Sequence, residues 1–227
     1  MKISISRGLV ILSVVGCLMA SMAQAREKPP TNWDGLEIRK VKGLDLVYVR
    51  PNVEFAPYKS VKLDAVQIEF AKNWQKNVNS GSTGFKRDPS AEDMQEIKDG
   101  LGKLMHEVFL EELTTHGYTV VETAAEDTLH VRTAIIDLYV NAPDNNDPGI
   151  TRTYTTSSGS MTLVLEMRDG PTGQLLARAV DGRSDETPGG QFQWTTKASN
   201  THAARQILRV WAKKLRESLD KVNGKDK

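Results

Sequence analysis

Asp137, Tyr139 and Asn141 alternate along an apolar stretch, so in an extended chain they share one side, with Arg152 and Tyr154 close across the segment that follows. Carboxylate, phenol, amide and guanidinium together make a hydrogen-bonding surface for a polar ligand or a protein partner, and tyrosine and arginine are the types that interfaces favour. A solvated strand end with local ion pairs has the same composition, so the five are a candidate binding patch and no catalytic role is assigned to them. Asp144, Asn145, Asn146 and Asp147 put four oxygen-bearing side chains in one turn-rich segment, the donor type calcium prefers, but the glycine and distal glutamate of a calcium loop are missing. No metal site is read there. His106, His116, His130 and His202 are scattered, with no two at metal-ligand spacing, and His116 suits a helix C-terminus.

Catalysis fares no better by motif. Ser157-Ser158-Gly159-Ser160 lacks the strand-turn-helix setting of a nucleophile elbow and reads as a loop at the start of a strand. No phosphate-binding glycine loop is present, and no cofactor is expected. Arg205, Arg209 and Lys213 line one helix face and could meet anionic headgroups, though a wet helix face looks the same.

The N-terminus supplies an address. Lys2 and Arg7 precede an apolar run over residues 8–19, and small residues at Ala23 and Ala25 offer a signal-peptidase site, so residues 1–25 read as an export signal. The run is shorter than the roughly 20 residues that span a bilayer, and no transmembrane helix is expected in the mature chain. Val14-Val15-Gly16-Cys17 also approximates the motif whose cysteine is acylated in lipoproteins, with valine where leucine is usual. The address is therefore periplasmic or secreted, with a lipid anchor at Cys17 as the alternative and membrane contact only in that form. Cys17 is the one cysteine in 227 residues, so the folded body has no thiol for catalysis or metal–sulfur chemistry. Cleavage removes Lys2 and Arg7, leaving 28 basic against 29 acidic residues, a balance that does not support nucleic acid as partner.

These side chains need a frame. Residues 26–32, with two prolines, read as a tether, and residues 33–224 as a single domain. Leu44, Leu46 and Tyr48 alternate with Val47 and Val49, a strand apolar on both faces and hence central. Residues 59–70 form a second strand whose apolar phase flips between Ala65 and Val66, requiring a bulge or kink. A loop over residues 77–86 precedes a long helix with Ser90 as N-cap, Asp93 completing a capping box, and Gly117 ending it. Gly100 and Gly102 lie inside that helix at about 1 kcal/mol each relative to alanine, so burial outweighs them or something packs close. Short strand 118–122, long strand 128–141 with a second phase flip, and a hairpin of Met161–Met167 with Leu175–Val180 follow. Residues 184–196 read as a loop, and a last helix over residues 200–222 carries Ile207, Trp211, Leu215 and Leu219. The sum is α+β: a largely antiparallel sheet of about five to six strands with two amphipathic helices packed on one face.

Tyr48-Val49-Arg50-Pro51, Tyr58-Lys59-Ser60-Val61, Asn73-Trp74, Gly117-Tyr118, the run from Asp137 to Pro143 and Gly173-Gln174-Leu175-Leu176-Ala177-Arg178-Ala179 together resemble the domain of unknown function 3313 family. These are bacterial envelope proteins, often described as candidate lipoproteins. The resemblance covers nearly all of the mature chain and implies location and fold, with no functional residues to carry over. The function expected is a non-catalytic binding or accessory domain contacting another envelope component. The alternatives are a periplasmic hydrolase, or a carrier holding a small apolar ligand between sheet and helices.

Overall fold

The computed structural model describes residues 28–80, 89–140, 154–155, 157–186, 193–194 and 197–225. The export signal, Cys17, Asn141, residues 144–147 and Arg152 lie outside them. In chain order the strands are β1 (Asn32–Trp33), β2 (Leu36–Arg39), β3 (Leu46–Val49), β4 (Ser60–Leu63) and β5 (Gln67–Phe70), then helices α1 (Trp74–Ser80) and α2 (Ala91–Thr115). After them come β6 (Thr119–Val120), β7 (Thr128–Val140), β8 (Tyr154–Thr155), β9 (Ser157–Asp169), β10 (Leu175–Glu186), β11 (Gln193–Trp194) and α3 (Lys197–Val222).

Nine strands form one sheet in the order β1-β2-β3-β10-β9-β7-β4-β6, with β5 also on β7, while β8 and β11 pair separately. The sheet is mixed, which corrects the expectation of five to six largely antiparallel strands. β4 and β5 both run parallel to β7, and β6 runs parallel to β4. The cause is the long α2 between β5 and β7: a helical crossover returns the chain in the same direction, as parallel pairing requires. The remaining pairs of the large sheet are antiparallel.

The foreseen break in the second strand is real. The chain leaves regular pairing at residues 64–66, so β4 pairs with Thr128–Val131 and β5 with Ala134–Leu138, one after the other on the same edge of β7. The flip in β7 falls later than the residue pattern suggested. Ile135 is still in phase with Leu129 and Val131 in the core, and the register slips on both neighbours around Asp137. Asp137 takes φ 52°, a left-handed conformation that a short polar side chain tolerates, and this inserts the extra residue that turns Leu138 inward.

Four stretches for which the residue pattern carries no strand or helix expectation are ordered. Asn32 and Trp33 belong to β1, joined to β2 by Asp34-Gly35 at φ 55° and 75°, the two positive values of a tight hairpin turn. A short α1 covers residues 74–80. β10 continues to Glu186, its polar second half holding Asp181, a buried acceptor. The Ser157-Ser158-Gly159-Ser160 run lies in β9, not in a loop. A Cβ at Gly159 would strike the carbonyl oxygen of Tyr139, so only glycine lets the strands pair there.

α2 and α3 pack on one sheet face around a core that includes Leu104, Phe109, Leu163, Ile135, Leu208 and Trp211. The Ser90–Asp93 capping box forms at the start of α2, and Gly117 follows its end with φ 78°. Tyr48 is fully buried on the other face with Leu36 and Leu175, and its hydroxyl donates to the carbonyl of Pro30 at 3.0 Å. β3 therefore buries both faces, as its double apolar pattern requires.

Ion pairs brace both layers. Burial pushes the pKa of Glu166 up, but hydrogen bonds from Arg178 and Arg168 outweigh it and hold the carboxyl below the usual range. Asp220 behaves alike, burial opposed by Tyr118 and Arg216; at Asp169 the Thr172 hydroxyl dominates and lowers it. A carboxylate with a depressed folded pKa stabilises the fold above its unfolded value and loses that contribution as pH falls through the folded value. The thermal midpoint is thus expected to be level near neutrality and to fall below about pH 4, more shallowly in Glu166→Gln. Circular-dichroism melts across pH check this, and a midpoint unchanged down to about pH 2 would contradict it.

Candidate functional site: a cleft between the helices

α2 and α3 are tied at their C-terminal ends. Arg216 reaches Glu112 at 3.0 Å and Asp220 at 2.5 Å, and the Tyr118 hydroxyl donates to Asp220 at 2.7 Å. Burial, then that carboxylate, pushes the Tyr118 phenol up to about 12. Toward their N-termini the facing positions shrink. α2 presents Ile97, Gly100, Leu101 and Leu104 at three-and-four spacing, and α3 presents Asn200, Ala203, Ala204 and Ile207. Glycine against two alanines cannot fill the space between two helices, and a cleft of about 430 Å³ remains, within the roughly 300–1,000 Å³ range of small-molecule sites. Leu138, Val140 and Met161 from the ends of β7 and β9 line it from the sheet side. Charged and hydroxyl side chains join the wall: Glu96, Lys103, Glu107, Tyr139, Ser160, Asp185, Thr201 and Arg205.

Two features of this wall lack a packing explanation. An added Cβ at Gly100 would meet nothing within 4 Å, yet a mid-helix glycine costs about 1 kcal/mol relative to alanine. The Oδ1 of Asn200 is buried and has no hydrogen-bond donor, a deficit of about 1–3 kcal/mol. A second cleft of about 420 Å³ lies on the other side of α2, lined by Asp64, Val66, Lys98, His106 and Gly102 among others. A Cβ at Gly102 would lie 3.4 Å from Val66, an ordinary van der Waals contact.

Of the residues singled out from the sequence, Tyr139 lines the first cleft, half-buried. Asp137 stands exposed in the bulge two residues earlier and is not among the lining residues. Tyr154 lies in β8 opposite Trp194. Arg205 sits at the cleft, 3.9 Å from Glu107; Lys213 is 3.9 Å from Glu217, and Arg209 is exposed. His116 caps α2 and contacts the carbonyl oxygen of Glu112 at 2.7 Å, as its position before Gly117 suggested. Asn200, Ala203 and Ala204 drew no notice in the sequence. The signal was there in principle, as small residues at the same spacing in both helices, but only a known pairing shows that they face each other.

A mixed sheet with two helices on one face, leaving an apolar-walled cleft between those helices, defines an α+β domain with a preformed cavity. The chain belongs to the family described as protein of unknown function DUF3313, whose model matches residues 32–215. No curated protein matches it. Among solved structures it is similar to the PelC dodecamer from Paraburkholderia phytofirmans, at 12% identity and TM-score 0.33, covering 72% of this chain and 94% of that one. Protein XCC0632 from Xanthomonas campestris, of the DUF330 family, is similar at 9% identity and TM-score 0.39, covering 78% and 91%. Likenesses this loose say nothing of ligand or partner. Among the described residues no helix is long and apolar enough to cross a membrane.

Proposed function

We propose that this chain is an exported, non-catalytic binding domain of the cell envelope whose ligand site is the cleft between α2 and α3. Export rests on the signal in residues 1–25: cleavage after Ala25 frees the domain, whereas acylation of Cys17 tethers it to a membrane. The observation that carries the binding reading is Gly100. Alanine there would strengthen α2 and touch nothing, and Gly100 is exposed at the cleft, so no contact within the protein calls for glycine while an occupant of the space would gain room.

The test uses a neutral apolar dye, N-phenyl-1-naphthylamine. Its emission is expected to rise and shift to the blue on binding, with Gly100→Phe abolishing the response by filling the cleft while leaving the melting temperature within a few degrees of wild type. Absence of dye binding, or binding indifferent to Gly100→Phe in a folded variant, would defeat the proposal.

A further inference from the structure

We infer that the ligand of the cleft is an amphiphile whose apolar body ends in a hydrogen-bond donor, an inference that rests on the cleft being a binding site. Ile97, Leu101, Leu104, Leu138, Met161 and Ile207 set the apolar body. Asn200 sets the head: its Oδ1 is a buried acceptor on the cleft wall with no donor among the described residues, so a ligand completing the site brings an O–H or N–H. A head that only accepts, such as an ether, an ester or a carboxylate, would leave that oxygen unpaired and set a second acceptor against it.

The two helices set the ligand's direction. Arg205 faces Glu107 at 3.9 Å and Arg216 faces Glu112 at 3.0 Å, so α2 and α3 run the same way and are tied toward their C-terminal ends, while Asn200 lies in the first turn of α3. The head therefore sits where the helices begin, on a wall that also carries the hydroxyls of Tyr139 and Ser160 at paired positions of β7 and β9, and the body runs toward Leu104 and Ile207. Charge does not select the head. Glu107 and Arg205 answer each other, Asp93 accepts from the backbone N–H of Ser90 at 2.8 Å, Glu96 is engaged within the protein, and Asp185 is offset by Lys103. The donor alone separates one head from another, and ligands of equal charge test it.

Decanol and methyl nonyl ether are isomers, one with an O–H and the other with an ether oxygen. Calorimetric titration of the mature protein with each, below its solubility limit, isolates the donor. Decanol is expected to bind about tenfold more tightly than the ether. Asn200→Ala and Asn200→Leu, both to good helix formers, should each bring the two affinities together, because the acceptor is gone. Gly100→Phe should lose both ligands by filling the cleft. Equal affinity of the wild type for the two isomers, or a preference for decanol that survives both Asn200 substitutions, would overturn the donor head while the cleft reading stands. Binding of neither isomer, or undiminished binding of both to Gly100→Phe, would overturn the cleft reading and this inference together.

Discussion

Trp211→Ala is expected to destabilise the domain by about 3–5 kcal/mol, the largest effect of any single truncation in α3. Trp211 is 1% exposed at the centre of the helix-sheet interface, and its indole N–H donates to Asp181 at 2.8 Å. Asp181 also accepts from the backbone N–H of Asp45 at 2.9 Å and lies 2.7 Å from Arg183, while the Asp45 carboxylate accepts from the backbone N–H of Gly182 at 2.9 Å. Removing the ring therefore leaves a cavity and takes one donor from a buried carboxylate. Trp211→Phe separates the two losses: most of the volume stays, and about 1–3 kcal/mol should go with the hydrogen bond. Urea unfolding of the three proteins measures both, and equal stability of Trp211→Phe and wild type would show that the Asp181 contact contributes nothing.

Trp74→Ala is expected to cost a similar about 3–5 kcal/mol and, unlike Trp211→Ala, to weaken binding in the cleft. Trp74 is also 1% exposed, stacks on Phe70 with centroids 4.2 Å apart, and donates its indole N–H to the carbonyl of Val140 at 3.0 Å. That bond pins the end of β7, where Leu138, Tyr139 and Val140 line the cleft. Urea unfolding gives the stability change, and titration with decanol at a temperature where the variant is still folded gives the affinity. A destabilised variant that binds decanol as wild type does would remove β7's end from the site.

How much of this was legible beforehand differs by element. α2 was readable nearly to the residue because its signals are local: the Ser90–Asp93 box, the apolar stripe and Gly117 all lie within the helix. The strands were located well but not their partners. Alternation reports which side chains point inward, and nothing in β4 or β5 alone says that they lie parallel to β7, some 70 residues on in the chain. The bulge at Asp137 was visible as a flip of phase, yet displaced, since Ile136 and Ile135 are equally apolar and only pairing decides which is inside. β10 was cut short because Asp181 and Arg183 look like loop residues until Trp211 is placed against them. At the site, Gly100 stood out as a helix residue in need of a reason. The small residues that share the cleft with it sit in α3, about a hundred residues away, and no local pattern could show them.

Methyl-resolved NMR of the protein titrated with decanol tests the central claim most directly. The account predicts shift changes concentrated on Ile97, Leu101, Leu104, Leu138, Met161 and Ile207, with Leu36 and Leu175 on the far sheet face unmoved. Changes centred on that far face, or no changes at saturating decanol, would contradict it.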